Sequence, residues 1–262
     1  MRKHILEIPI DWISETELET LLKRFVASQN PHHITTVNPE FVVLSQTNPG
    51  FKAILQQSDL SLADGTGIVL AQTFLDAKPP KNHFSQWLKF GTLGLRFLFV
   101  PQSFTYKRIT GVALTHELLR LSSEGKWRVF LLGAAPGVAQ AASTLWQEQY
   151  PELIIAGASS ANPDDPTIIQ EIKQSKPDIL LVAYGAPKQE VFIAQHAKSL
   201  HIPIMVGVGG TFDYAVGTIH RGPRFIQAIG LEWLMRLLQQ PKRFKRIYRS
   251  TIIFMQLMTA KK

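Results

Sequence analysis

Through the second half of the chain, apolar residues fall into short unbroken runs, and each run is followed by a stretch with helical periodicity. The run 127–132 enters Gly133-Ala134-Ala135-Pro136-Gly137 and then a helical pattern over 138–149; the run 153–156 comes next. Asp165 and Pro166 stand as cap and first residue of a predicted helix reaching Lys173. The run 178–183 ends in Gly185-Ala186-Pro187 before a helix to about Leu200, and 203–208 ends in Gly209-Gly210-Thr211-Phe212-Asp213. Strands apolar on both faces that alternate with helices predict a parallel sheet covered on both sides. Their glycine-rich exits then share one carboxyl edge, where such sheets bind ligands.

The N-terminal part is less regular. Ser14 and Glu17 form a capping box for a helix through about Ala27, and 33–37 reads as a strand entering Asn38-Pro39-Glu40. Helical patterns follow over 40–44 and 49–57, then a short strand, 60–63, ends in Asp64-Gly65-Thr66-Gly67 and a helix begins at Ile68. Residues 79–105 open with two prolines and are rich in Phe, Leu and Trp; glycines at 91 and 94 suggest an apolar helical hairpin.

Composition narrows the class. With 45% hydrophobic and 18% charged residues the chain is that of an ordinary globular protein. Its lack of cysteine excludes disulfides, thiolate metal sites and a cysteine nucleophile. Glu7 and Asp11 come too early for a signal-peptide apolar stretch, and the longest apolar segments, 93–100 and 251–258, fall short of the roughly 20 residues a spanning helix needs. The net charge of +8 is unevenly placed: residues 221–262 hold ten Lys and Arg against one acid, Glu232, so the rest of the chain is near −1. A basic end on a neutral body suggests an anionic partner, although a solvated basic helix has the same composition.

Several loops could carry chemistry. Asp64 sits on a strand-to-helix turn where it could serve as a general base or simply cap the next helix. Thr36 and Asn38 offer short polar groups suited to sugar hydroxyls, or an Asx turn before Pro39. Gly133 and Gly137 bracket a turn able to hold an anion at a helix N-terminus, but the spacing is neither G-x-G-x-x-G nor a P-loop, and tight packing accounts for it equally well. After Gly185, the residues Lys188, Gln189 and Glu190 place a cation, an amide and a carboxylate on one helical turn; Gly210 and Asp213 follow the last strand. There is no Asp-x-Asp motif and the histidines are scattered, so no metal site is predicted and phosphates would fall to Arg108, Lys188, Arg221 and Arg224. Near the C-terminus Leu231, Leu234, Met235 and Leu238 form a helical stripe. Beyond it Phe244, Ile247, Tyr248 and Thr251 lie on one side, and Arg243, Arg246 and Arg249 on another, the composition of an interfacial membrane segment.

Read in order, these pieces resemble the WecG/TagA/CpsF family of glycosyltransferases. The matching segments are Thr36-Val37-Asn38-Pro39-Glu40, Ala63-Asp64-Gly65-Thr66-Gly67, Arg108-Ile109-Thr110-Gly111, 129–137, Lys176-Pro177-Asp178-Ile179-Leu180, 185–190, 207–213, Arg221-Gly222-Pro223, Gly230-Leu231-Glu232-Trp233-Leu234 and Gln240-Pro241-Lys242-Arg243. The resemblance implies inverting, metal-independent transfer of a sugar, often of N-acetylmannosamine type, from a UDP donor to a polyprenyl-diphosphate-linked sugar. It implies Asp64 as base, Thr36 and Asn38 in its pocket, Arg108 on the diphosphate, and Arg221 and Arg224 at the donor phosphates. The substrate-binding set then comprises Gly65, Gly133, Gly137, Gly185, Lys188, Gln189, Glu190, Gly210, Asp213, Arg221 and Arg224. Three departures stand out: the longer connection 79–105, Gly222 in place of the usual Ala, and a 157–163 loop without Gly-Tyr-Phe.

The expected fold is α/β: a Rossmann-like parallel sheet with helices on both faces, a smaller N-terminal α/β part and a basic helical C-terminal appendage. The parts expected are 1–105 with the Asp loop and insertion, 106–217 for nucleotide binding, and 218–262 facing a membrane. Expected partners are a UDP-sugar, a lipid-linked glycan and an anionic membrane surface met through the basic end, with self-association left open, no cofactor and no nucleic acid. The expected location is the cytoplasm, peripherally on the inner face of the cell membrane. A nucleotide-dependent oxidoreductase and a basic nucleic-acid-binding protein are the alternatives.

Overall fold

Eight strands form one sheet in the order β1-β2-β4-β3-β8-β7-β5-β6, with β1 and β2 antiparallel and every other pairing parallel. The computed structural model describes residues 1–78 and 80–260, with the backbone alone for Arg224; Pro79, Lys261 and Lys262, which entered the readings above, lie outside them. The strands are β1 (Arg2–Ile5), β2 (Ile8–Asp11), β3 (His32–Val37), β4 (Leu60–Ala63), β5 (Arg128–Gly133), β6 (Ile154–Ser159), β7 (Ile179–Ala183) and β8 (Ile204–Gly207). The helices are α1 (Glu15–Ser28), α2 (Pro39–Thr47), α3 (Pro49–Gln57), α4 (Thr66–Asp76), α5 (His83–Phe99), α6 (Gly111–Gly125) and α7 (Val138–Gln149). They continue as α8 (Ile168–Ser175), α9 (Lys188–Leu200), α10 (Thr211–Ala215), α11 (Arg224–Ala228), α12 (Glu232–Gln239), α13 (Phe244–Tyr248) and α14 (Phe254–Thr259), with a wider π turn over Arg249–Ile253.

The alternation of side chains explains why the strands read as unbroken apolar runs. In β5, Val129 and Leu131 join Leu118, Trp146 and Phe212 on one face, while Phe130 and Leu132 join Ile172, Phe192 and Ile193 on the other. Both faces are buried, so no position is left for a polar residue. A third core, with Ile8, Phe41, Phe51, Phe74, Phe90 and Phe254, packs α2, α3, α4, α5 and α14 together. The two halves of the chain meet where β3 pairs with β8, in the middle of the sheet.

Some local readings change. The β1–β2 hairpin was not expected, because its turn uses Leu6 and Glu7 with positive φ (47° and 69°), not the Asn-Gly that signals such turns. Residues 83–99 are one continuous helix and not a hairpin broken at Gly91 and Gly94. Two helical glycines cost about 1 kcal/mol each, and burial of Phe90 and Phe97 against neighbouring aromatics outweighs that. Pro166 precedes α8 and does not begin it; Asp165 instead accepts from the Thr167 N–H and hydroxyl at 2.9 and 2.7 Å. Among the described residues no helix is long and apolar enough to cross a membrane.

Candidate functional site

A cavity of about 800 Å³ opens at the carboxyl edge of the sheet, lined by the exits of β3, β4, β7 and β8 on one side and by the C-terminal segment on the other. Thr36, Asn38, Asp64, Gly65, Arg108, Gly185, Gln189, Gly210, Asp213 and Arg221 all line it.

Asp64 is held at the end of β4, where its N–H donates to Val37 O at 2.8 Å. It does not cap α4: the capping position is Gly65, and no side chain hydrogen-bonds there. The strap carrying Arg108 is fixed alongside, Ile109 N–H donating to Ala63 O at 3.0 Å. Burial in the floor of the cavity pushes the Asp64 carboxyl up to about 6, against the opposing pull of Arg108. Thr36 is buried one strand away and donates to Gly207 O at 3.3 Å, tying β3 to β8. Asn38 caps α2, its Oδ1 accepting from Phe41 N–H at 3.2 Å.

Gln189 and Glu190 are buried beneath the loops. Gln189 Oε1 accepts from Gly185 N–H at 3.0 Å and Gly209 N–H at 3.1 Å, and Nε2 donates to Glu190 Oε1 at 2.7 Å. The amide therefore pins two glycine loops together. Glu190 has its pKa pushed up to about 8 by burial, and its Oε2 has no partner among the described residues.

The opposite wall is rich in arginine. Glu232 Oε1 holds Arg221 at 2.8 Å and its Oε2 lies 3.4 Å from Arg108, whose guanidinium also donates to Gln227 O. Arg221 and Arg236 stand over the Tyr214 ring, 5.9 and 5.1 Å from its centroid. Arg246 grips the buried Glu40 carboxylate through two nitrogens at 2.6–2.9 Å. Arg243 also lines the cavity, its pKa lowered to about 10 by burial and by the charges of Arg236 and Arg246. Gly230, with φ of 78°, lets this segment close on the Asp64 loop, since a Cβ there would lie 2.1 Å from Thr66 Oγ1.

Other expected residues lie elsewhere. Gly133 ends β5 and Gly137 follows it, two strands from β8 and so about 10 Å aside, and neither lines the cavity. Gly133 packs against Tyr184, whose ring would be 2.8 Å from a Cβ, so close packing accounts for that glycine. Lys188 is exposed and outside the cavity lining, because it points away on the first turn of α9 while Gln189 turns inward. Arg224 opens α11, and its side chain is outside the described residues.

The family model for the glycosyl transferase WecG/TagA/CpsF family matches residues 3–86 and 92–262. The chain belongs to this family. Among its relatives is an N-acetylglucosaminyldiphosphoundecaprenol N-acetyl-beta-D-mannosaminyltransferase of Staphylococcus aureus strain MW2, 31% identical over 254 residues that cover 96% of this chain and 89% of the relative. The protein of the same name from strain NCTC 8325 / PS 47 matches with the same identity and coverage.

Sequence reasoning missed Arg236, and it assigned Arg243 and Arg246 to a membrane face. Their inward placement fits helical phase: Arg243, Arg246 and Ile247 share the side that meets the cavity, while Lys242, Lys245 and Arg249 are exposed. The aromatic side splits likewise: Phe244 and Tyr248 stack outside, 6.3 Å apart, whereas Ile247 and Thr251 line the cavity. A signal was present in the lone acid of the region, Glu232, which ten surrounding cations would be expected to engage.

Proposed function

We propose that this enzyme transfers a sugar of N-acetylmannosamine type from a UDP-sugar to a polyprenyl-diphosphate-linked sugar, by a single inverting displacement that uses arginines in place of a metal ion. The observation that carries the reading is one cavity with a raised-pKa carboxylate, Asp64, on its floor and Arg108, Arg221, Arg236 and Arg243 around it. The acceptor named for the staphylococcal relatives supports the lipid-linked substrate.

In this mechanism the sugar lies between Asp64 and the arginine wall. An acceptor hydroxyl gives its proton to Asp64 as its oxygen bonds the anomeric carbon from the face opposite the diphosphate. The bond from that carbon to the diphosphate oxygen breaks, UDP leaves with the electron pair, and the configuration inverts. A pKa near 6 leaves Asp64 ionised at neutral pH yet basic enough to share the proton in the transition state. Arginines held at the cavity wall by Glu232 and Tyr214 meet the leaving diphosphate by exchanging Glu232 for it, and positive charge already placed there lowers the barrier. Thr36, Asn38, Gly65, Gly185, Gly210 and Asp213 all line the cavity, and in this mechanism the first two border the acceptor and the others the donor. The exposed Lys242, Lys245 and Arg249 would attract an anionic membrane on the inner face of the cell membrane, in the service of cell-surface polysaccharide synthesis.

The test is transfer from UDP-sugars to a short-chain, water-soluble acceptor in the presence of EDTA, with the product anomer read by NMR. Wild type should give the inverted anomer, and Asp64→Asn should fold and lose nearly all turnover; an active Asp64→Asn enzyme would sink the assignment. The sequence also allowed an oxidoreductase, but the Gly133–Gly137 turn behind that idea lies outside the cavity. The nucleic-acid alternative gives no role to the inward arginines.

A further inference from the structure

Helix α5 buries one side and leaves the other bare. Phe90 packs on Phe74 and Phe254, with ring centroids 5.4 and 6.5 Å away, and Phe97 on Phe104 at 5.0 Å. The outer side presents Phe84 (67% exposed), Trp87 (46%), Leu88 (46%), Leu95 (58%) and Phe99 (80%). At 3.6 residues per turn these five share an arc of about 120°. That is the apolar stripe of a helix with a partner, yet nothing among the described residues covers it.

Two observations say what the partner is. Between Asp76 and the cavity residue Arg108 the chain carries five Lys and Arg (Lys78, Lys81, Lys89, Arg96 and Lys107) and no acid, so the stripe lies in a positive field that fits anionic headgroups. The same helix runs into the mouth of the cavity, whose lining includes Gly94, Leu95 and Leu98. An apolar face with cationic flanks, too short and too interrupted to span, lies in the plane of a bilayer surface. The family model passes over residues 87–91, which hold Trp87 and Leu88 of the stripe, while Phe84, Leu95 and Phe99 lie in matched segments.

We propose that α5 is a membrane-docking element separate from the basic C-terminal segment: its outer face inserts Phe84, Trp87, Leu88 and Phe99 into the interface of an anionic bilayer and seats the cavity mouth on the lipid surface. A substrate with a polyprenyl anchor would then reach Asp64 without leaving the membrane. The purpose rests on the lipid-linked acceptor of the preceding reading, whereas the surface itself is tested without turnover.

Insertion and charge attraction respond differently to salt, because screening weakens exposed charge pairs and leaves apolar burial intact. The full chain is mixed with vesicles of phosphatidylcholine containing phosphatidylglycerol, and sedimented at low salt and at about 0.5 M salt, where the Debye length is only a few ångströms. Wild type should stay bound at both. The double variant Leu88→Asp/Phe99→Asp, outside the cavity lining, should lose at least about tenfold in bound fraction at high salt while transfer to a short-chain soluble acceptor is unchanged. As a second measurement on an unperturbed fold, lipids brominated on the acyl chain should quench wild-type tryptophan fluorescence, with a clearly smaller effect on Trp87→Phe. Equal sedimentation of the double variant and wild type at high salt would overturn the proposal. So would quenching that Trp87→Phe leaves intact, or a double variant that dissolves a dimer without changing vesicle binding. Loss of transfer by wild type itself would strike the enzymatic reading and leave these lipid measurements standing.

Discussion

The two walls of the cavity are built by different forces. The sheet-edge wall, with Thr36, Asp64 and the Gln189–Glu190 pair, is fixed by backbone ladders and buried hydrogen bonds whose groups have few alternatives. The C-terminal wall is fixed by ion pairs and by rings under guanidinium groups: Glu232 with Arg108 and Arg221, Glu40 with Arg246, Tyr214 with Arg236. Breaking a buried hydrogen-bonded network leaves orphaned polar groups, whereas partly exposed ion pairs are worth little singly and can exchange partners. In the proposed mechanism the first wall holds the base in place, and the second releases Glu232 and takes up the diphosphate instead.

The sharpest way to break this contrast is at Asp64. Asp64→Asn should lower turnover by about 10²–10⁴-fold, the usual range for a general base. Wild-type turnover should rise with pH through about 6 as the carboxyl ionises. The same substitution should raise thermal stability at pH 8. The folded pKa lies above the ordinary value of 3.8, so the stability this group lends is full below that value and lost as pH rises through 6. Melting curves of both forms at pH 4 and pH 8 should show the gap open only at the higher pH.

On the other wall, Arg236→Ala should raise KM for the donor about tenfold with a smaller change in kcat, in line with the loss of one charge-assisted contact. An equal fall in kcat alone would move Arg236 from binding to chemistry. Glu40→Gln should weaken the grip on Arg246, raise KM a few-fold and speed proteolytic release of the segment after Pro241, leaving the sheet intact. A global loss of stability would erase the distinction between the walls.

Smaller effects are expected in the supporting layer. The stability lent by the neutral, buried Glu190 should be full below its ordinary value of 4.5 and lost as pH rises through about 8, where it ionises without a second partner; Glu190→Gln should flatten that decline in melting curves taken between pH 5 and pH 8. Ser14→Ala, far from either wall, should cost about 1 kcal/mol through loss of the α1 capping box, or about 2 °C in Tm, with kinetics unchanged.

The alternation of apolar runs with helices determined the α/β class, since strands buried on both faces leave no other pattern. The exits with special chemistry were equally legible: Asp64, Thr36 and Asn38 stand where their strands end and line one cavity, and the Ser14–Glu17 box forms as read. What the sequence could not show was distance between segments far apart along it. Gly133 and Lys188 looked like site residues by local composition, but strand order puts one aside and helical phase turns the other out. Arg243 and Arg246 looked like a membrane face and Arg236 was not singled out; only the return of the C-terminal segment across the sheet edge brings them to Glu40 and the cavity, over 200 residues away in the case of Glu40 and Arg246. Local patterns record which side chains want burial or a cap; which charges face one another is decided by how the sheet orders its strands and how the last helices fold back across its edge.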